Sequence, residues 1–172
     1  GDMGFFLGGF THTPNVDAVL WFVNSILPIV RKKVPDIQFI IIGSNPPEEV
    51  KNLADHSVIV KGFVSDEELK QYYRNCRLSV VPLRYGAGIK GKVVEAMSYG
   101  IPVVTTSVGA EGIVGAEEIL CIADTEQMLG EKLAELYGDA KKLSEMSAAS
   151  YRYIQSHFSE ENAWEIIKED FL

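Results

Sequence analysis

The stretch that decides the fold is residues 78–92, which read LSVVPLRYGAGIKGK. It opens with an almost wholly apolar run that ends at Leu83 and then brings three glycines and two lysines within seven positions. Residues 93–97 continue with a pattern typical of a helix. A short apolar strand, a glycine-rich turn and a helix in direct succession indicate one βα unit.

The same rhythm extends outward in both directions along the chain. Short apolar strands in alternation with helices indicate a parallel sheet that is buried on both faces, and right-handed crossovers make it doubly wound. We therefore predict one α/β domain over residues 1–172, with a Rossmann-like, doubly wound, parallel six-stranded sheet and a helical carboxyl-terminal tail over about residues 124–172. The predicted strands are residues 5–7, 38–42, 58–60, 78–83, 102–105 and 119–123.

Several helix boundaries are predicted from capping residues and prolines. Thr13 followed by Pro14 predicts a helix cap with proline in the first turn, and Pro28 should kink or break the helix that follows. Ser65 and Glu68 have the spacing of a capping box. Gly100 is expected to end the helix that starts after the glycine-rich turn.

In a doubly wound sheet, ligands bind beyond the carboxyl ends of the strands, near the point where the strand order reverses. The loops that follow the first and fourth strands, residues 8–13 and 84–91, are therefore expected to lie together and to form the site.

The charge balance narrows the range of partners. Sixteen basic and twenty-four acidic residues give a net charge of -8, which disfavours general binding to nucleic acid or to anionic membranes. The longest apolar runs are much shorter than a transmembrane segment requires, and we expect a cytoplasmic protein. Cys76 and Cys121 have no metal-binding spacing, so we predict two buried free thiols, no metal and no cofactor.

The glycine-rich turn has the composition of a diphosphate site. Gly86, Gly88 and Gly91 match a GxGxxG spacing, and Lys90 and Lys92 add two positive charges to an otherwise acidic chain. A dinucleotide site would require this motif after the first strand, and a P-loop would require a hydroxyl residue after Lys92. A turn whose glycines serve only to tighten helix packing remains an alternative.

The longer motif resembles the group 1 glycosyltransferases of the GT-B fold. Residues 82–97 (PLRYGAGIKGKVVEAM) carry most of this likeness, which continues through residues 98–106 and 109–112. Upstream, residues 6–10 and 14–17 and the pair Ile42-Gly43 are similar to the same family. The likeness covers about residues 5–113 and corresponds to the carboxyl-terminal donor-binding domain, so it implies an amino-terminal acceptor domain that this sequence does not contain.

The resemblance implies a role for each candidate site residue. Glu95 matches the second glutamate of the family's paired motif and is expected to accept hydrogen bonds from the ribose hydroxyls. Phe63 borders the expected nucleobase site but is read as a core residue rather than a stacking platform. Other donor-binding candidates are Lys90, Lys92, Gly88 and Ile89 in the glycine-rich turn, Gly9, Thr11 and His12 after the first strand, and Gly62 after the third.

The sequence departs from the family pattern at the site. Ala87 stands where the family usually has its first glutamate, and Lys90 stands where a small residue is more common. The loop after the first strand lacks the arginine and lysine that the family often carries there. His12 either contacts a phosphate or is simply solvated. Beyond the fifth strand, Glu111 and Gly112 lie where the family closes the donor pocket.

The function that the resemblance implies is transfer of a sugar, with retention, from a nucleoside-diphosphate sugar to an acceptor. A non-catalytic nucleotide-sugar-binding module and a sugar-nucleotide epimerase of the GT-B fold remain as alternatives. The full-length protein could sit at a membrane surface. The isolated domain is expected to be inactive. Its last helix carries an apolar stripe that crosses to the other domain in this family, at Trp164, Ile167, Phe171 and Leu172.

Overall fold

The structure of the chain is a computed structural model that describes residues 3–170. All five strand pairings are parallel and unite six strands in one sheet of order β3-β2-β1-β4-β5-β6, as the sequence predicts. The strands are β1 (Met3–Leu7), β2 (Gln38–Ile42), β3 (Val58–Lys61), β4 (Cys76–Val81), β5 (Val103–Thr105) and β6 (Cys121–Ile122).

Helices connect and flank the strands, and the last third of the described chain is largely helical, as predicted. Because the chain runs from β1 to β2 in one direction and from β4 to β5 in the other, right-handed crossovers put their helices on opposite faces of the sheet. The helices are α1 (Thr13–Trp21), α2 (Leu27–Lys33), α3 (Glu48–Lys51), α4 (Asp66–Asn75), α5 (Gly91–Ser98), α6 (Glu126–Tyr137), α7 (Ala140–His157) and α8 (Glu160–Glu169).

The strand order reverses between β1 and β4, in the middle of the sheet. Phe5 pairs with Ile40 of β2 on one side and with Ser79 of β4 on the other. Four of the five residues in both β1 and β2 are buried, because helices cover both faces. The loops that leave β1 and β4 therefore begin side by side at the carboxyl edge.

The first helical segment is continuous but changes its hydrogen-bond pattern. A π-helical turn, Phe22–Ile26, connects α1 to α2 and precedes Pro28, which lacks the amide hydrogen that a regular helix needs. At the predicted break the helix therefore continues, with a local π-helical hydrogen-bond pattern. The N-cap residue of α1 is His12 rather than Thr13, and among residues 3–170 no side chain forms a capping hydrogen bond to it.

Thr13–Lys33 is long and apolar enough to cross a membrane, whereas the sequence predicted no such segment. Buried residues such as Phe22, Ile26 and Val30 place much of this helical stretch in the domain core. A core helix of a globular domain can have the same length and composition, so one such stretch is weak evidence for a membrane span.

The capping box of α4 and the end of α5 lie where the sequence predicts them. Ser65 and Glu68 form both bonds of the capping box, and Gly100, at φ 70°, follows the end of α5. Cys76 and Cys121 are free thiols as predicted, but they are half-buried rather than buried. Burial still raises the pKa of the Cys76 thiol to about 12.

Candidate functional site

The loops after β1 and β4 meet and enclose a crevice at the point where the strand order reverses. A Cβ atom at Gly86 would lie 3.6 Å from Cγ of Pro14, which shows how closely the two loops approach. The space between them, which we call the loop crevice, measures about 460 Å³. Its lining includes the predicted residues Gly9, Thr11, His12, Ile89, Lys90 and Lys92, together with Ala87 and Asp170.

Two glycines of the turn are required by its backbone, and a third is required by packing. Gly86 and Gly88 have φ of 117° and 88°, a region that other residues rarely adopt. Gly91 has a different role, because a Cβ atom there would lie 2.6 Å from the carbonyl oxygen of Ile166. Gly91 thus lets α8 pack directly on α5, so the packing alternative holds for this one glycine of the motif.

Lys90 brings a nearly buried positive charge to the loop crevice. Its side chain is 8% exposed, and its Nζ atom donates a 2.5 Å hydrogen bond to the carbonyl oxygen of Gly88. Burial lowers the pKa of Lys90, and the Glu111 carboxylate, 3.8 Å from Nζ, opposes that shift. A phosphate in the crevice would meet a cation that water solvates poorly.

Glu111 reaches the same turn from the loop that follows β5. Its Oε2 atom accepts a 2.5 Å hydrogen bond from the backbone N–H of Gly88. Gly112 brings the two loops together, because its φ is 82° and a Cβ atom there would lie 2.3 Å from Cγ1 of Ile89. The Glu111 carboxylate therefore contacts the residue that follows Ala87. Sequence spacing does not reveal this contact.

Lys92 lines the loop crevice, but its polar groups are already paired. Oδ2 of Asp170 accepts hydrogen bonds from the backbone N–H of Lys92 at 2.7 Å and from Nζ at 3.1 Å. Burial lowers the pKa of Lys92, while Asp170 partly offsets that shift. The ammonium also lies 5.8 Å from the centre of the Phe6 ring. Lys92 therefore joins the end of α8 to the start of α5.

The loop after β1 contains a buried polar residue that the sequence prediction missed. Asn15 is 1% exposed, and its Nδ2 atom donates a 2.8 Å hydrogen bond to the carbonyl oxygen of Gly9. Its Oδ1 atom has no partner within the part of the chain that the structure describes. The signal in the sequence is an asparagine in the first turn of α1, between apolar positions. Asn15 thereby fixes the backbone of Gly9, while His12 and Thr11 are exposed.

A second cavity of about 420 Å³ lies next to the loop crevice, and Gly9 and Ser44 line both. We call it the Phe63 cavity. Phe63 is 84% exposed, so the expectation that it belongs to the core is wrong. Trp164 of α8 is 60% exposed and lines the same cavity, whereas Ile167 is buried. The other lining residues include Gly62, Val64, Asp66, Leu69, Glu95 and Lys168. The predicted stripe residues Phe171 and Leu172 lie outside the described residues.

Glu95 projects from α5 and lines the Phe63 cavity. Its Oε1 atom accepts a 2.5 Å hydrogen bond from the hydroxyl of Tyr73. Burial raises the pKa of Glu95 above its usual value, the bond from Tyr73 lowers it, and Asp66 and Asp170 raise it further. The cavity thus combines an aromatic face with a partly buried carboxyl group.

Across residues 3–170, no three His, Cys, Asp or Glu side chains come together in a geometry that could hold a metal ion. The polar side chains that line the two cavities are lysines, carboxyl groups, hydroxyl and amide groups and an imidazole, and the glycine-rich turn adds backbone amides. Such a set binds anions and hydroxyl groups.

A profile of the family described as "Glycosyl transferases group 1" matches residues 2–139. The chain belongs to the group 1 glycosyltransferases. This membership agrees with the resemblance found in the sequence.

This group 1 glycosyltransferase chain is similar in sequence to a curated bacterial protein. A Klebsiella pneumoniae protein, described as an uncharacterized 44.6 kDa protein in the cps region, is 28% identical over 170 residues. That alignment covers 94% of this chain and 44% of the relative, so the chain spans less than half of the relative's length.

The two solved structures share the fold of this chain. The carboxyl-terminal domain of a group 1 family glycosyltransferase (LpcC) from Francisella tularensis has a TM-score of 0.73 and 22% identity, over 91% of this chain and 86% of that one. The Anabaena protein Alr3699/HepE, solved with UDP and glucose, has a TM-score of 0.69 and 17% identity, over 98% and 46%. At these identities the likeness concerns the fold alone.

Proposed function

We propose that this chain is the donor-binding domain of a glycosyltransferase and that it holds a nucleoside-diphosphate sugar across the loop crevice and the Phe63 cavity. The observation that carries the proposal is the position of the nearly buried Lys90 ammonium. It lies in a turn whose glycines Gly86 and Gly88 have positive φ, where the strand order reverses. In this arrangement a net acidic chain presents a nearly buried cation where an anionic ligand would bind.

The diphosphate is assigned to the loop crevice. Lys90 supplies the charge, and the backbone N–H of Gly88 becomes available if Glu111 turns away from it. Thr11 and His12 border the crevice from the β1 loop, where the hydroxyl and the imidazole add hydrogen-bonding groups. Donors directed at a departing diphosphate stabilise the negative charge that develops as the bond to the sugar breaks.

The nucleoside is assigned to the Phe63 cavity. Phe63 offers an exposed ring against which a base can stack, next to the backbone of Gly62. The ionised carboxylate of Glu95 accepts hydrogen bonds from ribose hydroxyls, because one of its two oxygens is not engaged by Tyr73. The known complex of the Anabaena protein with UDP and glucose supports a donor of this class.

The acceptor side is assigned to a domain outside these 172 residues. The chain spans 44% of the Klebsiella relative and 46% of the Anabaena protein, which leaves room in such proteins for a second domain. Retention at the anomeric carbon is part of the proposal and follows the family resemblance. A cleft closed by two domains would exclude water, whereas this half alone leaves the diphosphate solvated and catalysis weak.

The proposal is tested by ligand-dependent stability. Melting temperatures of this chain are measured with UDP, GDP, ADP and dTDP, because a ligand that binds only the folded state raises the melting temperature. We expect at least one nucleoside diphosphate to stabilise the chain more strongly than its nucleoside. If no nucleoside diphosphate stabilises it, the donor-binding assignment is wrong. Sugar transfer by the full-length protein then separates a transferase from a non-catalytic binding module, and release of a free epimer without acceptor would indicate an epimerase.

A further inference from the structure

Tyr73 is a core residue whose hydroxyl contacts Glu95 in the lining of the Phe63 cavity. It is 1% exposed and belongs to α4. Its ring stacks on Tyr99 with 4.5 Å between centroids and an interplanar angle of 7°, and it meets the Phe5 ring edge-on at 5.1 Å. Because the ring packs against aromatic neighbours on two sides, the side chain cannot change its rotamer freely, and its hydroxyl stays next to Glu95.

That hydroxyl has one partner, the Oε1 atom of Glu95, at 2.5 Å. Within the described part of the chain, no residue donates a hydrogen bond to the second oxygen, Oε2. Glu95 has rotatable side-chain bonds and lines an open cavity, so without an anchor its carboxylate would sample several orientations. The bond from Tyr73 removes most of that freedom and leaves one oxygen for a ligand.

We propose that Tyr73 is a positioning residue that holds the Glu95 carboxylate in the orientation in which it accepts a ribose hydroxyl. This inference rests on the proposed function, in which Glu95 is the ribose ligand. Tyr73 does not contact the ligand itself. It acts through Glu95 by fixing the direction of the carboxylate and by keeping it ionised.

The second part of this role concerns charge. Burial of Glu95 raises its pKa, and the negative charges of Asp66 and Asp170 raise it further. Lys168 lines the same cavity. The hydrogen bond from Tyr73 lowers that pKa. Removal of the bond would therefore raise the pKa of Glu95 and shift the appearance of the ionised carboxylate to higher pH.

The test compares Tyr73→Phe with Tyr99→Phe, a control that removes a hydroxyl from the ring stacked on Tyr73 without touching Glu95. Binding of UDP, GDP and ADP and of their 2′-deoxy counterparts is measured by calorimetry. For the diphosphate that binds tightest, we expect Tyr73→Phe to lower the preference for the ribonucleotide by about 3-fold to 10-fold, the worth of a typical hydrogen bond. Tyr99→Phe should keep the preference of the parent chain.

The pH profile is a second measurement, which a purely structural role would not change. In the parent chain the ribonucleotide preference should grow as pH rises through the raised pKa of Glu95, and in Tyr73→Phe this rise should move to higher pH. Melting temperatures without ligand confirm that both variants fold. Tyr73→Phe keeps the ring that packs on Tyr99 and Phe5. If its melting temperature is lowered, both profiles are measured at a temperature at which both chains are folded, and a Tyr73→Phe profile identical to that of the parent contradicts the role of Tyr73.

Glu95→Gln separates failure of this inference from failure of the proposed function. If Glu95→Gln loses the ribonucleotide preference while Tyr73→Phe keeps both the preference and the pH profile of the parent, Tyr73 has no positioning role and the donor site stands. If the parent shows no preference, or if Glu95→Gln keeps it, Glu95 is not the ribose ligand and both assignments fall.

Discussion

Asp170 holds Lys92 at two points, through the backbone N–H at 2.7 Å and through Nζ at 3.1 Å. The two residues are 78 positions apart in the chain. Through this contact the end of α8 is attached to the first turn of α5, the helix that carries Glu95. The carboxylate occupies an amide at the start of α5 that a phosphate could otherwise use. We therefore propose that Lys92 contributes mainly to stability and that Lys90 is the lysine that binds the ligand.

Lys92→Met tests this division of roles. The substitution keeps the length of the side chain but leaves the mostly buried Asp170 carboxylate without its cation, so we expect a loss of about 1–3 kcal/mol in the free energy of unfolding. Urea denaturation measures the change. Lys168→Met is the matched control, because its partner Glu165 is exposed and removal of that pair should cost less than about 0.5 kcal/mol. Equal stability of the two variants would contradict the role of the Lys92–Asp170 pair.

Gly91→Ala is expected to destabilise the domain by pushing α8 away from α5. The new methyl group would meet the Ile166 carbonyl oxygen at 2.6 Å and Cβ of Asp170 at 2.9 Å, and overpacking of this kind costs about 1–3 kcal/mol. Gly62→Ala serves as the control, since its added methyl group would meet no atom of the described residues within 4 Å apart from its chain neighbours. Thermal unfolding of both variants decides the matter, and a Gly91→Ala chain as stable as Gly62→Ala would show that α8 does not pack as described.

How much the sequence alone could predict depends on the range of the interaction. Strand β2 is predicted correctly because its continuous apolar run is a local pattern, and the capping box of Ser65 and Glu68 spans only three residues. Phe63 is predicted wrongly because apolar character alone does not report burial. It follows β3, an edge strand with a neighbour on one side only, and therefore lies beyond the packed core.

In the candidate site, too, local features are predicted from the sequence and long-range contacts are not. The glycine spacing and the lysines are visible in the sequence, and the strand pattern locates their turn at the reversal of strand order. The partner of each polar group is not visible, because Tyr73 reaches Glu95 from another helix and Glu111 reaches Gly88 from another loop. Those pairings depend on side-chain positions in the folded chain, which neither periodicity nor spacing determines.

Phe63→Ala is expected to weaken nucleotide binding while leaving the stability of the ligand-free chain unchanged. The ring is 84% exposed, so its removal costs little packing, whereas a lost stacking contact with a base costs about 1–3 kcal/mol of binding free energy. Calorimetric titration with the stabilising nucleoside diphosphate measures the loss. Tyr151→Ala removes another exposed aromatic ring, on α7, and should bind as the parent does. Parent-like affinity of Phe63→Ala would exclude the Phe63 cavity as the base site.

Turnover by the isolated chain is expected to be far below that of the full-length protein. In the isolated chain the loop crevice opens to water, which screens the contacts to the diphosphate and weakens their effect on the reaction. Donor hydrolysis and acceptor glycosylation are compared at matched concentrations of the two proteins. Comparable turnover would mean that these 172 residues form a complete enzyme, and the assignment of the acceptor side to another domain would have to be abandoned.

The most direct test of the donor site is one calorimetric comparison of Lys90→Ala and Glu95→Gln, with Lys70→Ala as a control for the loss of a surface charge. We expect Lys90→Ala to weaken UDP or GDP by about 1–3 kcal/mol more than the bare nucleoside, because a charged hydrogen bond from a nearly buried ammonium is lost. Glu95→Gln should weaken ligands that contain ribose and leave pyrophosphate unaffected. If both variants bind UDP and GDP as the parent chain does, the diphosphate and the ribose do not bind at these residues and the assigned site is wrong.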